Sequence, residues 1–192
     1  QFLALPVEGV NTVIAPYDGL PMAWIFLAEI PGAASVLDRV LSEGAAAGLA
    51  PIGVAQAEVL RVEAGIPADG HELTEDWNPW EARLEGSFSL SKGCYTGQEV
   101  LARLNTYDKI QKRLVGLRLG PGAPPALPAR VFRRGDGEQE RDVGTLTSAV
   151  ASDRLGETIG LAFVRLAWEA AGTELAVGDQ RRAAMVAALP FE

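Results

Sequence analysis

The amino-acid sequence predicts an α+β protein whose second half is a small antiparallel β-barrel. Three observations point there. Residues 1–113 mix strand-like runs with stretches of helical periodicity. From residue 114 onward, short segments of strand type alternate with Gly-rich turns, the pattern of a closed antiparallel sheet. A hydrophobic content of 48% over 192 residues is ample for ordinary cores in one large or two modest domains.

Taken in order, "TVIAPYDGLPMAWIFLAEI" sets two apolar runs around Asp18, Gly19 and Pro21, which predicts a hairpin. Ser35 precedes Val36, Leu37, Val40 and Leu41 at helical spacing, with Gly44 and Gly48 near the far end, so an amphipathic helix is expected over 36–47. "VAQAEVL" predicts a shorter helix, and "LRVEAGI" follows with strand-like apolar-polar alternation. Residues 68–80 are acidic and turn-rich, a loop ending at Asn78-Pro79-Trp80-Glu81. There an Asn cap, a Pro at the first helical position and a Glu reaching back predict a helix start. Beyond Arg113 come "LVGLRL", "ARVFRR", "VGTLTSAV", "TIGLAFVR", "TELAVG" and "RRAAMVAAL". The Pro/Gly stretch 120–128 reads as a long loop within the barrel, and "GDGEQE" as a hairpin turn.

Seventeen basic against twenty-five acidic residues give a net charge of -8, which disfavours direct nucleic-acid binding over the surface as a whole. No apolar run approaches the roughly 20 residues of a membrane helix, so a cytoplasmic protein is expected. One cysteine and one histidine cannot build a four-ligand zinc site, and no metal is expected. The chain opens without Met on "QFLALPVEGV", as if entered in mid-domain, which suggests a longer protein.

The lone Cys94 stands in "KGCYTGQEV". Thr96-x-x-Glu99 is a capping-box pattern, and Val100, Leu101 and Leu104 form a narrow apolar stripe, so a helix is expected from Gly97. A thiol just before a helix N-terminus, with Lys92 close by, is placed to become a thiolate. A lone cysteine is also commonly a small buried hydrophobe, and Glu81 and Glu99 can be caps and nothing more. His71 reads as a solvated loop residue, and Arg133, Arg134, Arg181 and Arg182 as strand surface charges. Trp77 and Trp80 flank Pro79 either as a stacking wall for a flat heterocycle or as a staple for the helix start.

"LRVEAGIPADGHELTEDWNPWEARL" followed by "SLSKGCYTGQEVLAR" resembles the YgfZ-like folate-binding proteins, relatives of the glycine cleavage T-protein, or aminomethyltransferase. "VGTLTSAVASDRLGETIGLAFVR" resembles the C-terminal barrel of that superfamily. The resemblance implies that residues 1–113 are the C-terminal part of a T-protein-like α+β folate-binding domain and 114–192 the barrel domain. It implies tetrahydrofolate or a related folate as ligand. Glu81 of Pro79-Trp80-Glu81 then reads the pterin, since a carboxylate can meet its paired N–H edge bidentately. Lys92 and Cys94 become the reactive pair, with Tyr95, Gln98 and Glu99 facing the folate and Arg103 or Arg113 receiving its tail.

Three functions are then expected in descending order. The first is an accessory factor for iron-sulfur client proteins, linked to tRNA modification. The second is an aminomethyltransferase acting with a lipoyl carrier protein, where catalysis rests on bringing two reactants together. The third is an interaction module that has lost folate.

Overall fold

The computed structural model describes residues 3–7, 10–14, 23–26, 33–107, 110–133 and 141–192. The turn at Asp18, Gly19 and Pro21, Arg134 and the "GDGEQE" turn lie outside the described residues. Two compact units are present, residues 1–56 and 57–192.

In the first unit, β1 (Leu3–Val7), β2 (Val10–Ile14) and β3 (Ala23–Phe26) form an antiparallel sheet in sequence order, so the two apolar runs predicted as a hairpin do pair, as β2 and β3. α1 runs Ala33–Ala46. It ends where the amide of Leu49 returns to the carbonyl of Gly44 at 2.9 Å, a closure that needs a left-handed residue, supplied by Gly48 at φ 87°.

The second unit holds all but the first three residues of α2 (Val54–Glu63), together with α3 (Gln98–Thr106) and the barrel. The strand-like alternation of "LRVEAGI" is overruled: "LRVE" is the last part of α2. The reason is packing, since Val59 and Val62, three residues apart, both join one apolar cluster.

The barrel strands are β4 (Lys112–Arg118), β5 (Ala129–Arg133), β6 (Asp142–Ser152), β7 (Glu157–Arg165), β8 (Glu174–Val177) and β9 (Arg182–Ala187). They close in the order β4-β7-β6-β5-β8-β9, every pair antiparallel, so no edge is left open. Strand alternation builds two cores. Val115, Leu117, Val131, Leu146, Ala162, Val164, Leu175 and Val186 fill the interior. Leu114, Ile159, Leu161 and Phe163 point the other way, where Val62, Ala82 and Phe191 cover them. β7 is therefore buried on both faces, with only its two ends partly open. Gly116 lies on the covered face of β4, and a Cβ there would come within 2.7 Å of the Phe191 ring.

The helix expected at Asn78 does not propagate. Its capping box forms in full: Asn78 Oδ1 accepts the amides of Trp80 (3.0 Å) and Glu81 (3.1 Å), and Glu81 Oε2 accepts the amide of Asn78 (3.3 Å). The carbonyl of Glu81, however, accepts the amide of Leu114 at 2.8 Å, and Arg83 turns to φ 57°, so the segment becomes a strap on β4.

One buried carboxylate joins α2 and the 68–76 loop to the barrel. Glu72 is fully buried. Its Oε2 receives Arg61 Nη1 at 3.0 Å and the amide of Ala68 at 3.1 Å, while Oε1 receives the hydroxyls of Thr147 (2.5 Å) and Ser148 (2.7 Å). Neighbouring strand residues normally face opposite ways. The register shift between Leu146 and Ser148 is a bulge that lets both hydroxyls reach one carboxylate. Arg61 also grips Glu58 and donates to the carbonyl of Ile66 at 2.6 Å and to Ser148 Oγ at 2.7 Å. Burial alone would lower the Arg61 pKa, but its two carboxylates more than offset this and hold it above its ordinary value.

Three outcomes follow from this packing. Glu72→Ala takes one carboxylate from Arg61, which keeps Glu58, and removes the acceptor shared by two buried hydroxyls, and should lower unfolding free energy by about 1–3 kcal/mol in urea titrations. Gly116→Ala should cost about 1–3 kcal/mol through overpacking, with part of the loss recovered when Phe191→Leu is added. The Glu58 carboxyl is held below its usual pKa, first by the hydrogen bond from Arg61 and then by the charges of Arg61 and His71, against burial. A lowered folded-state pKa stabilises fully above the unfolded value of about 4.3 and is lost as pH falls through the folded value. Glu58→Gln should therefore flatten the acid limb of a stability-versus-pH curve below about pH 5 and leave its neutral-to-alkaline shape unchanged.

Candidate functional site

The Lys-Gly-Cys-Tyr motif forms an ordered loop that leads into α3. Gln98, first residue of α3, holds it: Nε2 donates to the carbonyls of Leu90 (3.1 Å) and Lys92 (3.2 Å). Ser89 Oγ accepts the amides of Ser91 and Lys92 at 3.3 and 3.2 Å. The loop thus presents Cys94 exposed, and the reading of this cysteine as a buried hydrophobe is overturned. Lys92 Nζ lies 4.9 Å from the centre of the Tyr95 ring, a cation–π arrangement, while the Tyr95 hydroxyl is buried without a hydrogen-bond partner among the described residues.

The Thr96–Glu99 capping box is not made. No side chain caps α3, because Gly97 occupies the cap position at φ 89°. Glu99 turns instead along the helix to Arg103 Nη2 at 2.5 Å, both side chains exposed. Arg113 is anchored between Glu85 (3.3 Å) and Glu169 (3.8 Å). Neither arginine is therefore without a carboxylate.

Glu81 is buried, with Oε1 accepting the amide of Lys112 at 3.3 Å and Oε2 that of Asn78. Each oxygen keeps a second lone pair after these bonds. The two tryptophans beside it take different partners. Trp80 donates its indole N–H to the carbonyl of Leu101 at 2.9 Å and meets Phe88 edge-on at 4.7 Å, tying the strap to α3. Trp77 stacks on Phe163 at 4.0 Å and 9°.

Sequence reasoning passed over a cleft of about 680 Å³ lined by His71, Thr74, Asp76, Trp77, Lys112, Leu127, Pro128, Thr145 and Thr147. Lys112 Nζ stands 4.6 Å from the Trp77 ring centre. The signal was available: Lys112 precedes Leu114 by two residues on one strand, so both face the covered side. Arg182 is equally unlike a surface charge. Its Nε donates to the carbonyl of Leu119 at 2.9 Å, Nη1 to Ala123 at 2.6 Å, and Nη2 to Gly120 at 2.9 Å and Pro121 at 3.2 Å. Arg181 stacks over Phe132 at 3.5 Å and Arg133 over Trp168 at 5.0 Å, so these side chains pack on aromatic rings.

Among the described residues, no helix is long and apolar enough to cross a membrane. Residues 112–191 match the family described as the Glycine cleavage T-protein C-terminal barrel domain. A chloroplastic protein of Arabidopsis thaliana, provisionally named a transferase, is 37% identical over 93% of this chain and 38% of its own length. Aminomethyltransferases of Moorella thermoacetica and Shouchella clausii are 33% and 32% identical over 85% and 100% of the chain, and 43% and 50% of their own lengths. The chain thus spans about half or less of the curated relatives it matches. The crystal structure of glycine cleavage system aminomethyltransferase T from Bartonella henselae shares the fold, with a TM-score of 0.71 at 22% identity over 97% of this chain and 51% of that one. The closed barrel that residues 112–191 build is a T-protein C-terminal barrel.

Proposed function

We propose that the chain binds tetrahydrofolate or a related folate, through residues within 1–113, and acts as a YgfZ-like cytoplasmic accessory factor for iron-sulfur client proteins, including those that modify tRNA. The exposed Cys94 carries this reading. A loop fastened by Gln98 and Ser89 that leaves its thiol open to a partner suits a residue that must reach a client. Lys92 and Cys94 act together, and Tyr95, whose buried hydroxyl has no partner, offers a hydrogen bond to a ligand.

Glu81 supports the pterin assignment because its oxygens, already oriented by two amides, retain acceptor capacity on a rigid strap. Gln98 and Glu99 line the same helix start. Arg103 or Arg113 receives the folate tail by exchanging a protein carboxylate for a ligand carboxylate.

A second reading, a tetrahydrofolate-dependent aminomethyltransferase with a lipoyl carrier as partner, is favoured by the names of the relatives from Moorella thermoacetica and Shouchella clausii. One experiment separates the two. Tetrahydrofolate and an aminomethyl-lipoyl carrier protein are supplied to this chain and to the product of its full coding sequence, and ammonia release is followed beside folate binding. Binding without turnover, together with loss of client iron-sulfur activity in Cys94→Ala, is the expected result. Turnover that survives Cys94→Ala establishes the aminomethyltransferase. Glu81→Gln should weaken tetrahydrofolate binding roughly tenfold; unchanged affinity would remove Glu81 from the pterin site.

A further inference from the structure

We infer that the cleft between the 70–77 loop and the barrel binds a small zwitterion, an α-amino acid with an apolar or aromatic side chain. This goes beyond the folate reading and uses none of the residues assigned to it.

The cleft, at about 680 Å³, falls in the size range of ligand sites. Its walls are fixed independently of any ligand. The 70–77 loop is held by the Glu72 carboxylate and by Trp77 on Phe163. Leu127 and Pro128, also in the lining, end a loop whose start, residues 119–123, Arg182 grips by four carbonyls. A preformed hollow saves the ordering cost that a mobile one would charge against binding.

Lys112 and Asp76 line the same cleft, yet among the described residues neither has an oppositely charged group within ion-pair distance. Arg61, Arg113, Arg118 and Arg154, by contrast, each lie against a carboxylate. A ligand carrying only a carboxylate satisfies Lys112 and leaves Asp76 facing it. A ligand carrying only an amine does the reverse. A zwitterion answers both, with its carboxylate at Lys112 and its ammonium at Asp76.

The hydroxyl-bearing Thr74 and Thr145 supply polar lining, and Trp77, Leu127 and Pro128 an apolar surface for a side chain. His71 is fixed at the rim, its Nδ1 3.3 Å from the carbonyl of Thr147. The neighbouring hollow of about 440 Å³ shares Trp77 and Thr74, but its charged residues are Asp69 and Glu75, so it has no group for a carboxylate.

The test uses the 192-residue chain without folate. L-phenylalanine, phenylacetate and phenethylamine are titrated separately while tryptophan fluorescence is followed, Trp77 being the reporter. Saturable binding of phenylalanine is expected, with each singly charged analogue weaker by about tenfold. Lys112→Met and Asp76→Asn should each weaken phenylalanine by a similar factor while circular dichroism stays that of the parent. Arg39→Gln, on an exposed ion pair of α1 outside the cleft lining, should change nothing. Absence of saturable phenylalanine binding, equal binding of all three compounds, or parental affinity in Asp76→Asn would each overturn the assignment. Asp76 is exposed, so that variant remains informative even if Lys112→Met does not fold.

Discussion

The carboxylate of Glu72 is the constraint on which the barrel unit depends. A charge with no solvent exposure is tolerable only when its oxygens are fully met, and here a guanidinium, a main-chain amide and two hydroxyls meet it. The donors come from α2, from the loop itself and from a strand more than seventy residues further on. A hydrophobic cluster would hold these pieces together without fixing their register. Directional bonds to a single group fix both, and so determine where Trp77 and the strap at 78–84 must lie.

A second acidic knot repeats the principle on the same side of the barrel. Glu63, at the end of α2, accepts Ser152 Oγ at 2.5 Å and Arg154 Nε at 2.8 Å, and its carbonyl accepts the amide of Phe191 at 2.8 Å. α2 is thereby fastened at two points along β6 and its following turn. Between them the apolar contacts of Val62, Phe163 and Phe191 supply most of the burial. Polar groups set the position, and apolar groups supply the driving force.

The barrel was legible because its strands obey a period of two and its turns carry glycine, both local properties. α2 misled because Leu60 and Val62 alternate like a strand, while the decisive spacing was that of Val59 and Val62 onto a surface made by distant residues. Asn78 announced its cap correctly, yet a cap cannot say whether a helix will follow. Leu114, more than thirty residues on, took the carbonyl that the next turn needed. Around Cys94 the motif was readable as a unit, but not its mechanics: Gly97 takes the cap position that the sequence had suggested for Thr96, and Gln98 serves as the clasp.

The grip of Arg182 on the 119–123 segment is made wholly through main-chain carbonyls. Every amino acid presents that same acceptor, proline included, since what proline lacks is the donor. The clasp is therefore indifferent to which side chains the segment carries. One arginine on a strand end can keep the loop's path constant while its composition drifts, leaving selection free to alter the wall that Leu127 and Pro128 offer without rebuilding the frame behind it.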